Sequence, residues 1–174
     1  LETCRNWYTK ERNVVTGMRL FELYDTPLQL QTRLEERADT VNAHQSFPDV
    51  PFPLPNPALW ALDVGRRADS QPVTTAITHG DLHCDNFFVD RSRQAWLIDF
   101  GQTGPGHALR DFVELEADIK LRLTPFHPSE NPALVALERA LLAPTTINGP
   151  ILPPPELAGD QRLRKVFQVI TGLR

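Results

Sequence analysis

The chain is poor in the residues that staple a fold, cross a bilayer or coat a polyanion. Cys4 and Cys84 are its only cysteines, and no CxxC pair occurs. That rules out a disulfide framework and makes the cytoplasm, a reducing compartment, the expected setting. Lysine is confined to Lys10, Lys120 and Lys165, the remaining cations are arginines scattered among acids, and the formal net charge is -4. No basic stripe results, which argues against a nucleic-acid partner. No apolar run approaches bilayer length and no signal-peptide pattern opens the chain, so a membrane partner is not expected either. Internal repeats are absent. The first residue is Leu1, and the last stretch, Asp160–Arg174, stops inside a helix-like pattern. The expectation is a fragment or excised domain of a longer protein.

What is present suits one soluble domain. There are 174 residues, 41% hydrophobic and 23% charged, enough for a single core and hardly two. Residues 2 to about 40 carry helical spacing through Trp7, Leu20, Leu23 and Leu34, interrupted by Gly17 and Pro27. The stretch from Phe47 to Pro57 has prolines at every second position from Pro51 and reads as an extended connector. Asn56-Pro57 supplies a cap and a first-turn proline for a helix to about Arg67. Val73–Thr78 is β-branched and short, a strand. Two more strands, Asn86–Val89 and Trp96–Asp99, flank the polar turn Asp90–Gln94. Residues 101–106 read as a loop. Helices follow over His107 to about Leu123, from Asn131-Pro132 to near Leu142, and from about Glu156 onward. The expected class is α+β, mostly helical, with a small β-hairpin. As one partial domain it comprises a helical segment 1–46, a proline-rich loop 47–57, a core 58–123 and C-terminal helices 124–174.

The chemistry is concentrated around that hairpin. His79, Asp81, His83, Cys84, Asp85 and Asn86 precede it and Asp99 follows it. Pairing Asp90 with Ala95 across a four-residue turn sets Asn86 opposite Asp99, with Cβ atoms roughly 5 Å apart. Asp81 lies in a loop able to fold over the same end. The near-continuous apolar character of Phe87–Val89 and Trp96–Ile98 predicts a hairpin buried on both faces. Three hard oxygen donors, Asp81, Asn86 and Asp99, suit Mg²⁺ with phosphates and waters completing its shell. A zinc site from His79, His83 and Cys84 is the weaker alternative, because no fourth ligand is well placed. Gly80-Asp81-Leu82-His83 also matches the opening motif of dinuclear metallophosphatases, whose downstream GD and GNH-type segments do not occur here. Glu114 and Asp118 read as a solvated helix face. Gly101–Gly106 does not have the spacing of a phosphate-cradling glycine loop and reads as a mobile segment.

His79-Gly80-Asp81-Leu82-His83-Cys84-Asp85-Asn86, followed by Asp99-Phe100-Gly101, resembles the catalytic and metal-binding loops of kinases. Glycine after the histidine is similar to the aminoglycoside phosphotransferase and choline kinase branch of that superfamily. Gly104-Pro105-Gly106-His107-Ala108-Leu109-Arg110-Asp111-Phe112 resembles the phosphotransferase-like ternary complex associated domains of bacterial multidomain proteins. The match spans about Ile77 to Asp118. The resemblance implies a kinase-like C-terminal lobe in which Asp81 is the catalytic base. Asn86 and Asp99 would then hold Mg²⁺ on ATP or another nucleoside triphosphate, and the acceptor would be a hydroxyl of a small molecule. His79 would support the loop, His83 would face phosphate or substrate, and Asp111 would brace the loop backbone from the following helix.

Such an enzyme also needs an N-terminal lobe with a phosphate-covering loop and a lysine. Nothing before Ile77 resembles either, so the missing lobe or neighbouring domains of a parent chain are expected partners. Two functions follow. One is the catalytic lobe of an ATP- and Mg²⁺-dependent phosphotransferase, inactive by itself. The other is a kinase-derived, non-catalytic binding or regulatory module in a bacterial signalling or defence assembly.

Overall fold

A computed structural model describes residues 8, 12–16, 20–38, 44–45, 54–56, 59, 61–65, 72–125, 127, 131–144, 146 and 149–173. Among them the chain is α+β, with helices dominating and three small sheets. It divides into two compact units, Leu1–Thr78 with Gly104–Ala108, and His79–Thr103 with Leu109–Arg174.

The first unit is built on a three-stranded antiparallel sheet in the order β1 (Asn13–Val15), β4 (Val73–Thr78), β7 (Gly104–His107). β4 has the bounds its β-branched run predicts. As the central strand it buries Val73, Ala76 and Thr78. Its registers are Asn13↔Thr75 on one side and Thr75↔His107 to Thr78↔Gly104 on the other. Two expectations change here. Asn13–Val15, placed in a helical segment, is a strand, consistent with two consecutive valines beside an open sheet edge. Gly104–His107, read as the end of a loop and the first residue of a helix, is a strand as well, and that helix begins at Arg110. Pro105 is tolerated because β7 is an edge, and a Cβ on Gly106 would lie 2.8 Å from Thr78 Oγ1.

Helices α1 (Leu20–Leu28) and α2 (Leu30–Ala38) follow β1. They part at Gln29, whose φ is 49°, and Asp25 Oδ1 accepts the Gln31 amide at 2.6 Å. His44–Gln45 (β2) pairs with Leu54–Pro55 (β3), so the proline-rich stretch 47–57 enters a two-residue bridge; its residues 47–53 and 57 lie outside the described set. Of the expected helix from Asn56 to about Arg67, the described residues include Leu59, which is helical, and a π-helical turn, Ala61–Gly65; residues 66–70 lie outside the described set.

The second unit holds the hairpin β5 (Phe87–Val89) and β6 (Ala95–Leu97), and helices α3 (Arg110–Leu121), α4 (Asn131–Leu142) and α5 (Gln161–Leu173). Its core is Leu137 and Leu141 of α4, Leu157, and Leu163, Val166, Phe167 and Ile170 of α5, with Ile119 of α3 against them. The α5 contribution has the i, i+3, i+4, i+7 spacing of one helix face. This helix begins later than expected. Glu156 sits in a 3-10 turn over Pro155–Leu157, and Asp160 caps α5 by accepting the Leu163 amide at 3.0 Å. Lys120 reaches Glu116 at 2.8 Å and Glu138 of α4 at 2.9 Å, tying α3 to α4. No described helix is long and apolar enough to cross a membrane.

The hairpin departs from expectation in register and in burial. Its pairs are Phe87↔Leu97, Phe88↔Trp96 and Val89↔Ala95, one residue away from the expected set. The turn is the cause. Asp90 Oδ1 accepts from the Ser92 amide, the Ser92 hydroxyl and the Gln94 amide, while Asp90 and Gln94 are themselves bonded backbone to backbone. Arg93 takes φ 66°, the left-handed residue of a three-residue hairpin loop. The expected burial on both faces is also absent, since Phe88 and Trp96 stack on each other yet remain 50% and 45% exposed.

Candidate active-site loop

The site is the loop His79–Asn86, and its backbone is hung from one stripe of α3. Asp111, Glu114 and Asp118 stand at i, i+3 and i+7, one above another on the helix surface. Asp111 accepts from the His79 amide at 2.7 Å and the Gly80 amide at 2.9 Å. Glu114 accepts from the Leu82 amide at 3.2 Å, and Asp118 from the Cys84 amide at 2.8 Å. The Asp85 and Asn86 amides are satisfied within the loop by His83, and the carboxylates supply charged acceptors to the His79, Gly80, Leu82 and Cys84 amides.

The acids are correspondingly withdrawn from solvent. Asp111 is fully buried, and the side chains of Glu114 and Asp118 are 25% and 10% exposed. The expected solvated face is therefore corrected: Glu114 and Asp118 are occupied by the loop. Arg122 beside Asp118 holds its carboxyl well below the usual range, with the Cys84 amide adding to the effect. Arg122 also reaches Asp85 at 3.0 Å. Burial, then the neighbouring Asp118, pushes the Cys84 thiol up to about 11, so Cys84 is a poor thiolate at neutral pH.

His79 is buried, and its Nε2 lies 2.8 Å from the Ile98 carbonyl. A carbonyl only accepts, so Nε2 carries the proton. The ring also stands 5.1 Å from that of Phe100. His79 thereby links the loop to the residues on both sides of Asp99, to the Ile98 carbonyl and to the Phe100 ring. Turned inward in this way, it is not arranged to share a metal with His83 and Cys84. Among the described residues no group of three His, Cys, Asp or Glu side chains is gathered as a metal cage.

Asp81, His83 and Asn86 are brought together. Asn86 is buried and its Nδ2 donates to the Asp81 carbonyl at 2.9 Å, with His83 Nε2 at 3.1 Å. With the amide nitrogen engaged, Oδ1 is the atom left to face a cation. His83 caps the 3-10 turn Cys84–Asn86 by accepting the Asp85 amide, and its Nε2 lies 3.9 Å from Asp81 Oδ2. The Asp81 side chain is 42% exposed, open to a substrate.

Asp99 does not stand across the hairpin from Asn86. The residue opposite Asn86 is Ile98, whose amide bonds the Asn86 carbonyl at 3.1 Å, so the direct Asn86–Asp99 pairing expected from a four-residue turn is replaced. Asp99 instead adopts φ 61° and ψ 64° and is exposed. A left-handed aspartate is uncommon and is a feature of functional turns. The segment after it is a 3-10 turn, Phe100–Gln102, with Thr103 Oγ1 bonded to the His79 carbonyl.

Sequence reasoning missed Arg110, whose Nε bonds Glu114 at 2.8 Å and whose Nη2 bonds the Gly80 carbonyl. The legible signal was the 111, 114, 118 spacing together with a loop rich in unpaired amides. The family model of ternary complex associated domain 9 matches residues 17–174. The chain belongs to this family. No curated protein and no solved structure matches it. In this ternary complex associated domain the matched span includes the whole loop, the hairpin and the described helices α3, α4 and α5.

Proposed function

We propose that this domain is the kinase-like catalytic lobe of a larger cytoplasmic phosphotransferase, moving the γ-phosphoryl group of ATP, or another nucleoside triphosphate, to a hydroxyl of a small molecule. The observation that supports it best is the arrangement of Asp81 and Asn86. One buried amide is fixed by the Asp81 carbonyl, and one half-exposed carboxylate is held on a loop whose backbone is braced at His79, Gly80, Leu82 and Cys84. Preorganisation of this kind is what phosphoryl transfer requires, because its catalysis is mostly positioning and charge stabilisation.

The donor types suit Mg²⁺ better than zinc: an amide oxygen on Asn86 and a carboxylate on Asp99, leaving water and phosphate to complete the shell. Bound Mg²⁺ would neutralise charge on the nucleotide phosphates. Asp81 then orients the acceptor hydroxyl and takes its proton. His79 keeps the Asp99 turn tied to the Asp81 loop, Asp111 holds the His79 and Gly80 amides, and His83 lines the same end.

The test is Mg²⁺-dependent ATP turnover by the full protein beside Asp81→Ala and Asp99→Ala. Removing a general base costs about 10²- to 10⁴-fold; equal turnover in all three proteins would sink the reading. A second reading, a non-catalytic module in a signalling or defence assembly, is favoured by one observation. The hairpin leaves Phe87, Phe88, Val89, Trp96 and Ile98 exposed, which suits contact with another protein or domain. Association of the full protein that survives both substitutions, without turnover in any of the three, would favour this module.

A further inference from the structure

We infer that Arg110 and Glu114 form a clamp that sets the backbone torsions of Asp81, and so the direction of its carboxylate; the catalytic consequence rests on the phosphotransfer reading above. The guanidinium of Arg110 donates through Nη2 to the carbonyl of Gly80, the residue before Asp81. Through Nε it donates to Glu114 Oε1 at 2.8 Å. The other oxygen of that carboxylate, Oε2, accepts from the amide of Leu82, the residue after Asp81, at 3.2 Å.

The geometry has a direct consequence. The Gly80 carbonyl belongs to the peptide plane entering Asp81, and the Leu82 amide to the plane leaving it. The angles φ and ψ of Asp81 are the rotations between those planes. A planar arginine and a bidentate carboxylate, joined to each other and each gripping one plane, fix both rotations at once. Asp111 cannot do this, since it holds only the His79 and Gly80 amides on the entering side. The side chains of Arg110 and Glu114 are 7% and 25% exposed, so water competes little for the contacts. Neither residue reaches the reacting atoms; they are positioning residues.

An ordinary i, i+4 helix ion pair and a clamp respond differently to exchange of the two charges. In Arg110→Glu/Glu114→Arg the ion pair is restored. The clamp is not, because an acceptor then faces the Gly80 carbonyl and a donor faces the Leu82 amide. The test measures, on the full protein, the melting temperature, the hydrogen exchange of the Leu82 amide, and Mg²⁺-dependent ATP turnover. Arg110→Gln, Glu114→Gln and the exchange variant are compared with the wild type.

The expected result is a recovered melting temperature in the exchange variant with Leu82 exchange still fast. Turnover stays about 10- to 100-fold down, with KM for ATP within about twofold of wild type. Recovery of both Leu82 protection and turnover on charge exchange would overturn the clamp and leave a helix-stabilising pair. If the exchange variant does not melt cooperatively, Glu114→Gln decides: unchanged Leu82 exchange and turnover there overturn the proposal too. Should the wild type show no turnover while the Leu82 pattern holds, the phosphotransfer reading falls and the clamp stands as the device that orients Asp81.

Discussion

The carbonyl oxygen of Gln102 stands closer to the place of a Cβ on residue 80 than a Cβ contact allows. Gly80 also has φ 82°, a conformation that costs an L-residue roughly 1–2 kcal/mol. Gly80→Ala is therefore expected to destabilise by about 2–4 kcal/mol, strain and overpacking together, and to abolish turnover. Gly159→Ala, where a Cβ meets open space, should change stability by less than about 0.5 kcal/mol. Denaturant unfolding of the two variants checks the contrast, and equal stabilities would refute it.

Asp111 is fully buried against two backbone amides. Asp111→Ala leaves both donors without their acceptor and should cost about 3–5 kcal/mol. Asp111→Asn keeps one acceptor oxygen and should cost about 1–3 kcal/mol. Amide exchange at His79 and Gly80 is expected to rise in the same order. An asparagine variant as stable and as protected as wild type would show that the charge is not needed.

Ser92, then Trp96 and the Gln94 amide, lower the Asp90 carboxyl from the ordinary 3.8 to about 2. A depressed folded pKa contributes stability above the unfolded value and loses it as pH falls through the folded one. The hairpin turn should accordingly loosen as pH drops from about 4 toward 2, following the Asp90 carboxyl by NMR. Ser92→Ala removes the largest contribution and should move the midpoint upward. A midpoint unmoved by that substitution would count against the turn geometry.

With its thiol pushed up from 9.0 to about 11, chiefly by burial, Cys84 should alkylate roughly 100-fold more slowly near pH 8 than a thiol at the ordinary value. Asp118→Asn removes the second and third causes and should speed the reaction, read by iodoacetamide mass labelling in a Cys4→Ser background. Rapid labelling of the wild-type folded protein would contradict the half-buried placement beside Asp118.

The legible parts were those written in local pattern. The β4 run and the start of α4 at Asn131-Pro132 each follow from residues within one element. The loop from His79 to Asn86 was legible too, because its residue types are unusual together. What the pattern misread depends on partners far along the chain. Gly104–His107 is too rich in glycine and proline to look like a strand, and it becomes one because β4 offers it an edge. Glu114 and Asp118 look like solvated helix acids until the loop amides more than thirty residues away come to meet them. Asn13–Val15 sits in a charged, helix-like context and pairs with β4 instead.

By itself the sequence determined which atoms are available: the Asp81 and Asp99 carboxylates, the Asn86 amide, and a stripe of acids at helical spacing. Those are matters of residue type and period, settled by covalent structure and helix geometry. Tertiary structure alone decided how they meet. Three hydrogen bonds to Asp90 Oδ1 set the hairpin register one residue from the expected one, so that Ile98 and not Asp99 stands opposite Asn86. The α3 stripe, with Arg110, turned a flexible loop into a held one. Each outcome rests on side chains competing for backbone donors that are distant in sequence, and that competition is resolved only when the chain is folded.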